Sequence, residues 1–463
     1  MFLNSLRKDT AHIGATESNV IHTFRYKDLY LAIDVESGAV HSVDKEAFDV
    51  INACIGGNDP YLLDYPQEDI AEILGELDEL KKQGTYDSPE HIIESTALGD
   101  GRHVIKSLCL HVAHDCNLRC KYCFASTGEF HGERMLMSEE VGKKALDFLM
   151  EHSGNRHTLE VDFFGGEPLM NFEVVKSLVE YGRSLEKKFN KHINFTMTTN
   201  AVALTDEISD YLNREMHNIV ISLDGRREIH DALRPTANGR GSFDIISEKA
   251  MKLIKGRGDK EYYVRGTFTN RNLDFTEDVK ALHDMGFEQI SLEPVVLEDS
   301  SPYAILDEHI KTVLDEYERL ADYLVESRKN GRWFNFFHFM VDFDAGPCLK
   351  KRLSGCGAGV EYAAITPEGD IYPCHQFVGE TEFKMGSVVT GEYSLEMSKG
   401  FAECSILSKP TCRTCFAKYF CSGGCAANAW KFNGDINKPY ARTCELVRKR
   451  TELAIGIHTK EKQ

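Results

Sequence analysis

The cysteines of this chain are the residues whose type and spacing indicate chemistry. Three of them, Cys116, Cys120 and Cys123, lie within eight residues, and nine more lie between residues 348 and 444. Thiolates bind iron–sulfur clusters and structural zinc. Three local thiolates leave one iron of a 4Fe–4S cluster open, whereas zinc needs a fourth protein ligand. Three histidines lie near enough in sequence to supply one: His111, His114 and His131. The spacing favours an iron–sulfur site and leaves zinc open.

The second group of cysteines is longer and more widely spaced. Its members are Cys348, Cys356, Cys374, Cys404, Cys412, Cys415, Cys421, Cys425 and Cys444. Taken alone, the run from 412 to 425 could form a zinc ribbon. The first group upstream makes iron the favoured metal here as well. The two isolated cysteines, Cys54 and Cys109, are expected to be small buried hydrophobic residues.

Composition limits the classes of partner. The 463 residues carry 73 acidic and 54 basic side chains, a formal net charge of −19. Such a charge opposes a broad nucleic-acid footprint or attraction to anionic lipid. No apolar run approaches a membrane span, and the N-terminus lacks the apolar core of a secretory signal. We therefore expect a cytoplasmic protein with no membrane or nucleic-acid partner, whose thiols stay reduced.

Strands and helices alternate over about residues 104–300, which predicts an α/β fold with a parallel sheet and right-handed crossovers. The strand candidates are 107–115, 159–166, 193–200, 218–225, 262–269 and 289–296. The helix candidates between them are 138–152, 171–189, 205–216, 243–256 and 275–286. A helical and aromatic bridge is expected over 301–345. Its aromatic run, 333–339, is more typical of a core than of a cofactor site.

Several predicted strands end in polar or glycine-rich residues. These are Asp115, Gly165-Gly166-Glu167, Thr199-Asn200 and Asp224. Because active sites of βα folds lie at the carboxyl ends of the strands, this placement favours function over packing.

The pattern Cys116-x3-Cys120-x2-Cys123, with Tyr122 as an aromatic residue before the last cysteine, resembles the signature of radical S-adenosylmethionine enzymes. The alternating segments over 104–300 resemble that family's partial (β/α)6 barrel. The resemblance implies a 4Fe–4S cluster whose open iron binds the amino and carboxylate groups of S-adenosylmethionine. It also implies a 5′-deoxyadenosyl radical that abstracts a hydrogen atom from the substrate.

The same resemblance suggests contacts with S-adenosylmethionine. The family's motif for the methionine amino group matches Gly165, Gly166, Glu167 and Pro168. Arg234 resembles the arginine that binds the carboxylate, a group that a guanidinium fork fits. Ribose could be bound at strand ends, where plain turn polarity is the alternative; the candidates are Thr198, Asn200, Ser222 and Asp224. Val295 could pack on adenine, with a core role as the alternative.

The order and spacing of the second group, including Gly369, resemble the seven-cysteine SPASM extension of radical enzymes that modify peptides. The resemblance covers about residues 346–455 and implies two auxiliary 4Fe–4S clusters. By position, the first takes Cys356, Cys374 and Cys425, and the second takes Cys412, Cys415, Cys421 and Cys444. Cys348 is predicted to complete the first, unless that corner binds a substrate thiolate. Cys404 matches no motif position and is expected to be structural.

Residues 1–95 resemble the winged-helix-like peptide-recognition element of enzymes that modify ribosomal peptides. The resemblance rests on the strand and helix patterns over 22–53. It implies that a leader peptide adds a strand to an exposed sheet edge. A structural cap or a DNA-binding winged helix is the alternative, and the acidic helix over 68–84 opposes DNA.

Together the parts resemble maturases that form thioether crosslinks in "six cysteines in forty-five" peptides, a ribosomally made, Cys-rich class related to sactipeptides and ranthipeptides. The resemblance implies a precursor peptide as partner and an electron donor such as flavodoxin or ferredoxin. One alternative is another SPASM maturase, forming several thioethers, a carbon–carbon link or formylglycine. The other is a non-catalytic iron–sulfur or zinc peptide-binding protein. His375, Glu293 and Asp342 are proton-transfer candidates by position only, and a structural role is the alternative for each.

Overall fold

The computed structural model describes residues 21–89, 104–341, 343 and 349–462. Two residues of interest, Cys348 and Asp342, lie outside this range. Among the described residues, no helix is both long and apolar enough to cross a membrane.

The N-terminal module is a small antiparallel sheet with two helices. Its strands are β1 (Ile21–Tyr26), β2 (Leu29–Asp34) and β3 (Val40–Val43), and its helices are α1 (Lys45–Ile55) and α2 (Gln67–Lys82). Strands β1 and β2 form a hairpin, with Lys27 in a left-handed backbone conformation (φ 55°) at its turn. Between the two helices, the module has a 3₁₀ turn at Pro60–Leu62.

The central part follows the predicted βα alternation. Its strands are β4 (Ser107–Ala113), β5 (Thr158–Gly165), β6 (His192–Thr199), β7 (Asn218–Ser222), β8 (Glu261–Phe268) and β9 (Gln289–Pro294). Its helices are α3 (Glu139–His152), α4 (Phe172–Phe189), α5 (Asp206–Glu215), α6 (Arg227–Leu233), α7 (Phe243–Lys255) and α8 (Phe275–Asp284). All six strands pair in parallel and in sequence order.

The two faces of this sheet differ in character. One face is fully apolar in the middle strands, with Phe163 and Phe195 stacked at 5.6 Å between ring centroids. Since side chains alternate along a strand, the residues between them point to the other face. That face carries polar side chains such as Asp162 and Thr196, which share a hydrogen bond of 2.8 Å. The apolar face is the core under the helices, which leaves the polar face for chemistry.

The C-terminal region continues the same sheet. A long helix, α9 (Asp307–Lys329), leads to β10 (Asn335–Phe336), which pairs with β9. On the opposite side, β11 (Tyr362–Ile365) pairs in parallel with β4. The remaining strands are β12 (Asp370–Tyr372), β13 (Gly386–Ser387) and β14 (Glu392–Tyr393), and the result is an eleven-stranded sheet.

Short helices build most of the second cysteine region, and a long helix closes the chain. They are α10 (Leu349–Ser354), α11 (Leu395–Glu403), α12 (Pro410–Arg413), α13 (Lys418–Cys421), α14 (Ala426–Asn433) and α15 (Ala441–Lys462). Helix α15 packs against α9, where Arg450 lies 5.6 Å from the ring centre of Tyr317. It also packs against β1, where Glu452 contacts His22 at 2.9 Å.

The aromatic run after α9 belongs only partly to the core, because it lies at the edge of the sheet. Phe334, Phe336 and Phe339 are buried. Trp333 and Phe337 are about half exposed.

Candidate active site and iron–sulfur centres

The first three cysteines lie on the loop that follows β4. Backbone hydrogen bonds anchor this loop to the segment after α6: the Arg119 amide donates to the Pro235 carbonyl at 2.8 Å, and Lys121 donates to Leu233 at 2.9 Å. Burial raises the pKa of Cys116 to about 12 and that of Cys123 to about 11, and neighbouring cysteine sulfurs add to each rise. Thiols so placed become thiolates when metal binds them.

The glycines at the end of β5 let its backbone lie directly on this loop. A Cβ on Gly165, whose φ is +124°, would lie 2.2 Å from the Ala113 carbonyl oxygen. A Cβ on Gly166 would lie 2.2 Å from that of Asp115. The Glu167 amide then donates to the Asp115 carbonyl at 2.9 Å. Only glycine allows this approach, so the predicted motif is fixed against the cysteine loop.

The carboxylate of Glu167 is buried and fully engaged. It accepts hydrogen bonds from the Thr199 hydroxyl (2.7 Å), the Asn200 amide (2.7 Å) and the Leu169 amide (3.0 Å). Burial raises its pKa, and these hydrogen bonds oppose the rise. Pro168 is buried at the first position of the 3₁₀ turn Pro168–Asn171. The Glu167 side chain therefore holds the end of β6 rather than standing free.

Asn200, predicted to contact the cofactor, connects these groups to the cysteine loop. Its side-chain amide lies 3.6 Å from the Cys116 sulfur and donates to Asn117 at 2.8 Å. Thr199, which the sequence analysis named as a polar strand end but not as a cofactor contact, donates to Glu167. The selected Thr198 is half-buried, on the opposite face of β6, which it shares with Thr196.

Three other predicted residues form one buried network. The Tyr122 hydroxyl donates to the Asp224 carboxylate at 2.6 Å, and Arg234 Nη1 donates to the Tyr122 oxygen at 2.8 Å. Arg234 Nε is buried and has no hydrogen-bond acceptor. Its charge acts on the Cys120 thiol, whose pKa is raised by burial and lowered by Arg234. A buried donor without an acceptor, beside three cysteines, fits an anionic ligand group.

The other two predicted contacts are less distinctive. Ser222 is half-buried at the end of β7. Val295 is buried in the main core, and its amide donates to the Phe268 carbonyl at 2.8 Å. The position of Val295 suits the core role that the sequence left as an alternative.

The three histidines considered as zinc ligands have other partners. His111 and His114 contact each other at 3.0 Å, and His131 contacts Ser126 at 3.0 Å. Burial lowers the pKa of His114 to about 4. In the described part of the chain, no group of three or more His, Cys, Asp or Glu side chains is arranged to hold a single metal ion.

The polar face of the sheet encloses further titratable groups. Burial raises the pKa of Asp162 to about 6, against its hydrogen bond from Thr196. His375 lies 3.3 Å from the Tyr362 hydroxyl, and burial lowers its pKa to about 4. Glu293 pairs with His338 at 3.0 Å. Two of the positional candidates for proton transfer, His375 and Glu293, thus have partners of their own.

The second group of cysteines falls into two sets. In one, Cys356 and Cys425 lie close enough to Cys374 to add to the rise in its pKa that burial causes. In the other, four cysteines line a cavity of about 200 Å³, the room of several water molecules: Cys412, Cys415, Cys421 and Cys444. Burial raises the pKa of Cys412 to about 11, and the other three thiols add to it. The structure thus brings these cysteines together in the same two groups to which the SPASM resemblance assigns them.

The remaining cysteines differ from one another. Cys109 is fully buried on β4 and Cys404 is buried, as expected. The expectation for Cys54 was wrong, because it lies on the exposed side of α1, whose buried residues are Val50, Ile51 and Ala53.

Comparisons with known proteins agree with this geometry. A family model described as a 4Fe-4S single cluster domain matches residues 98–245, which include the first three cysteines. The radical SAM cyclopropyl synthase TigE of Paramaledivibacter caminithermalis is 24% identical over 361 residues, covering 74% of this chain and 72% of TigE. The chain is thus similar to a radical S-adenosylmethionine enzyme over 74% of its length.

Other relatives match this chain over different lengths. The uncharacterized protein MJ0907 of Methanocaldococcus jannaschii is 31% identical over 190 residues, which are 41% of this chain and 62% of MJ0907. The chain therefore spans less than two thirds of that relative. The cysteine-type anaerobic sulfatase-maturating enzyme of Clostridium novyi is 24% identical over 338 residues, 68% of this chain and 86% of that enzyme.

Two solved structures share the fold of this chain. The structure of anSMEcpe with bound AdoMet and the Kp18Cys peptide has a TM-score of 0.61 at 20% identity, covering 75% of this chain and 96% of that one. SuiB of Streptococcus suis bound to the precursor peptide SuiA has a TM-score of 0.52 at 17% identity, and the match covers 90% of this chain and 96% of SuiB. The chain therefore shares the α/β architecture of these two structures.

Proposed function

We propose that this chain forms thioether crosslinks between cysteine sulfur and carbon in a ribosomally made, Cys-rich precursor peptide. One observation carries the proposal: the N-terminal module is docked on helix α13, which lies among the four cysteines of the cavity. Glu36 pairs with Lys418 at 2.5 Å, both side chains being more than nine-tenths buried. Tyr419 donates to the same carboxylate at 2.9 Å. Since Lys418 lies between Cys415 and Cys421, a peptide held by the module starts beside the iron–sulfur region.

The module offers one open sheet edge for a leader peptide. The β1 edge is covered by α15, where a Cβ on Gly456 would lie 2.2 Å from the Tyr26 ring. On the other side, β3 pairs only with β2 among the described residues. Backbone pairing at such an edge supplies affinity, and side-chain pockets supply specificity.

The groups that would hold cofactors are those described above. Cys116, Cys120 and Cys123 would bind a 4Fe–4S cluster, and the free donor of Arg234 would receive the carboxylate of S-adenosylmethionine. Two auxiliary clusters would lie on the two sets of the second group, with Cys348 as the fourth ligand of the first. When bound, these cofactors supply the one-electron chemistry and the hydrogen-abstracting radical.

The chain itself orients the peptide and excludes water. The polar face with Asp162, His375 and Glu293 encloses the reacting segment, while the apolar face seals it from solvent through the helices. A thioether forms as one C–H and one S–H bond break. One hydrogen atom leaves with the deoxyadenosine, one proton leaves from the thiol, and one electron passes to an external carrier such as flavodoxin or ferredoxin.

The test uses the reconstituted, reduced protein with S-adenosylmethionine and a Cys-rich peptide encoded beside its gene. Free thiols are alkylated and the intact peptide mass is measured. We expect a loss of two hydrogens and one blocked cysteine for each crosslink. Loss of two hydrogens with every thiol still alkylated contradicts the thioether. It indicates a linkage that does not use sulfur, such as a carbon–carbon link. The similarity to the cyclopropyl synthase TigE favours this second candidate.

Cysteine variants separate the roles of the two groups. Cys120→Ala should abolish cleavage of S-adenosylmethionine, because the first cluster loses a ligand. Cys444→Ala should retain some cleavage without peptide product, and exposed Cys54→Ala should behave as wild type. Deoxyadenosine and peptide product are quantified by chromatography and mass spectrometry. Full peptide conversion by either of the first two variants rules out this division of labour.

A further inference from the structure

A lysine lies buried between the two sets of the second cysteine group. Lys409 is only 2% exposed. Its ammonium donates to the Gly423 carbonyl at 2.8 Å. Gly423 sits between Cys421 of one set and Cys425 of the other, and it lines the cavity of the four cysteines. The Lys409 carbonyl accepts from the Cys412 amide at 2.9 Å. The side chain is thus held at the turn that connects Cys421 of one set to Cys425 of the other.

This ammonium has no carboxylate partner among the described residues. Its other contact is the Cys404 thiol, whose pKa is raised by burial and lowered by Lys409. A buried charge without a counter-charge is expensive, and such groups are normally paired or bound to an ion. No part of the proposed function described so far uses this lysine.

The charge of Lys409 reaches cysteines of both sets. Burial raises the pKa of Cys412 and Cys444 in one set and of Cys425 in the other. In all three, Lys409 acts against that rise. An anionic group on either set would therefore serve as its missing counter-charge.

We infer that Lys409 is a shared cation for two auxiliary iron–sulfur clusters, placed between them to stabilise their reduced forms. Each reduction adds a negative charge to a cluster, and a buried positive charge nearby favours that state. Cys404 is its neighbour and not a cluster ligand. The inference rests on the proposed function, since it needs both auxiliary clusters to be present. Lys409 is a positioning residue that acts through its charge.

The test is a redox titration of the full reconstituted protein, followed by electron paramagnetic resonance, together with an iron count. Lys409→Gln removes the charge and keeps a donor for the Gly423 carbonyl. At a fixed potential we expect at least a tenfold lower ratio of reduced to oxidised auxiliary cluster, about 59 mV for a one-electron couple. The matched control is Lys438→Gln, an exposed lysine of the same region, which should leave the ratio unchanged.

Each outcome decides the inference. A Lys409→Gln variant that binds wild-type iron and keeps wild-type potentials overturns it. If this variant loses iron, Lys409→Arg is compared: iron restored by arginine shows that charge is required, whereas loss in both variants shows a packing role and overturns the inference. Wild-type protein with about four irons, instead of about twelve, contradicts the proposed auxiliary clusters themselves.

Discussion

At the scale of the residue, the Tyr122–Asp224–Arg234 network is the one that we propose orients S-adenosylmethionine. Tyr122 and Asp224 satisfy one side of the guanidinium and leave Nε as its free donor. Because the network is buried and its partners are fixed, the donor is aimed before any ligand arrives. Such pre-organisation lowers the entropy cost of binding.

Arg234→Lys should weaken binding of S-adenosylmethionine by at least tenfold. Lysine keeps the charge but loses the planar fork, and a hydrogen bond to a charged group contributes roughly 1.5–3 kcal/mol. Calorimetry on the reconstituted protein measures the affinity. Arg240→Lys, at an exposed position of the following loop, serves as the control. Equal affinities for Arg234→Lys and wild type would contradict the assignment.

The sequence predicted this site well where a motif marks the residues. It predicted the site poorly where a residue is marked only by the strand face on which it lies or by its burial. The cysteines and the glycines have spacings that few other sites share. Thr198 and Thr199 are adjacent, and only the structure shows which one faces Glu167. Lys409 could not be predicted, because lysine is a typical surface residue and nothing in its neighbourhood marks it as buried.

At the scale of the element, the turn between β2 and β3 holds the N-terminal module in place. Asp34 caps this turn by accepting from the Glu36 and Ser37 amides at 3.0 and 2.9 Å. The Glu36 carboxylate then contacts Lys418 and Tyr419 of helix α13. Residue patterns along the sequence predicted the strands of the module. They could not predict this docking, because the residues that it joins lie about 380 positions apart.

Glu36→Gln should weaken the attachment of the N-terminal module to helix α13. The change leaves Lys418 buried without its counter-charge, and breaking a buried ion pair costs about 3–5 kcal/mol. Hydrogen exchange of the β2 amides should therefore speed up. Asp28→Asn is the control, since the Asp28 carboxylate is exposed and solvent screens its pair with Lys460. Unchanged exchange in Glu36→Gln would show that the ion pair does not hold the module.

At the scale of the whole molecule, one sheet runs through three of the predicted parts, which are 104–300, 301–345 and 346–455. Strand β4 carries the first cysteines at its end and is buried along its whole length. Its two neighbours, β5 and β11, come from different predicted parts. Local periodicity found the strands over 104–300, but it divided the chain at 346 because strand order between distant segments has no local signal.

A chain ending at residue 345 should aggregate. It would lack β11, so the fully buried Ser107–Ala113 strand would become an open apolar edge. The soluble fraction and size-exclusion profile measure this outcome. Co-expression of residues 346–463 as a separate chain should restore part of the soluble protein. A soluble, monomeric 1–345 fragment would contradict the structural role of the added strands.

Helix α15 gives the molecule a mechanical property. Its 22 residues span about 33 Å, with Cys444 near one end, Glu452 and Gly456 against β1, and Glu461 paired with Arg328 of α9. The helix therefore joins the covered β1 edge of the N-terminal sheet to Cys444 in one continuous element. A displacement of that sheet along the helix axis would be carried to the cysteines of the second set.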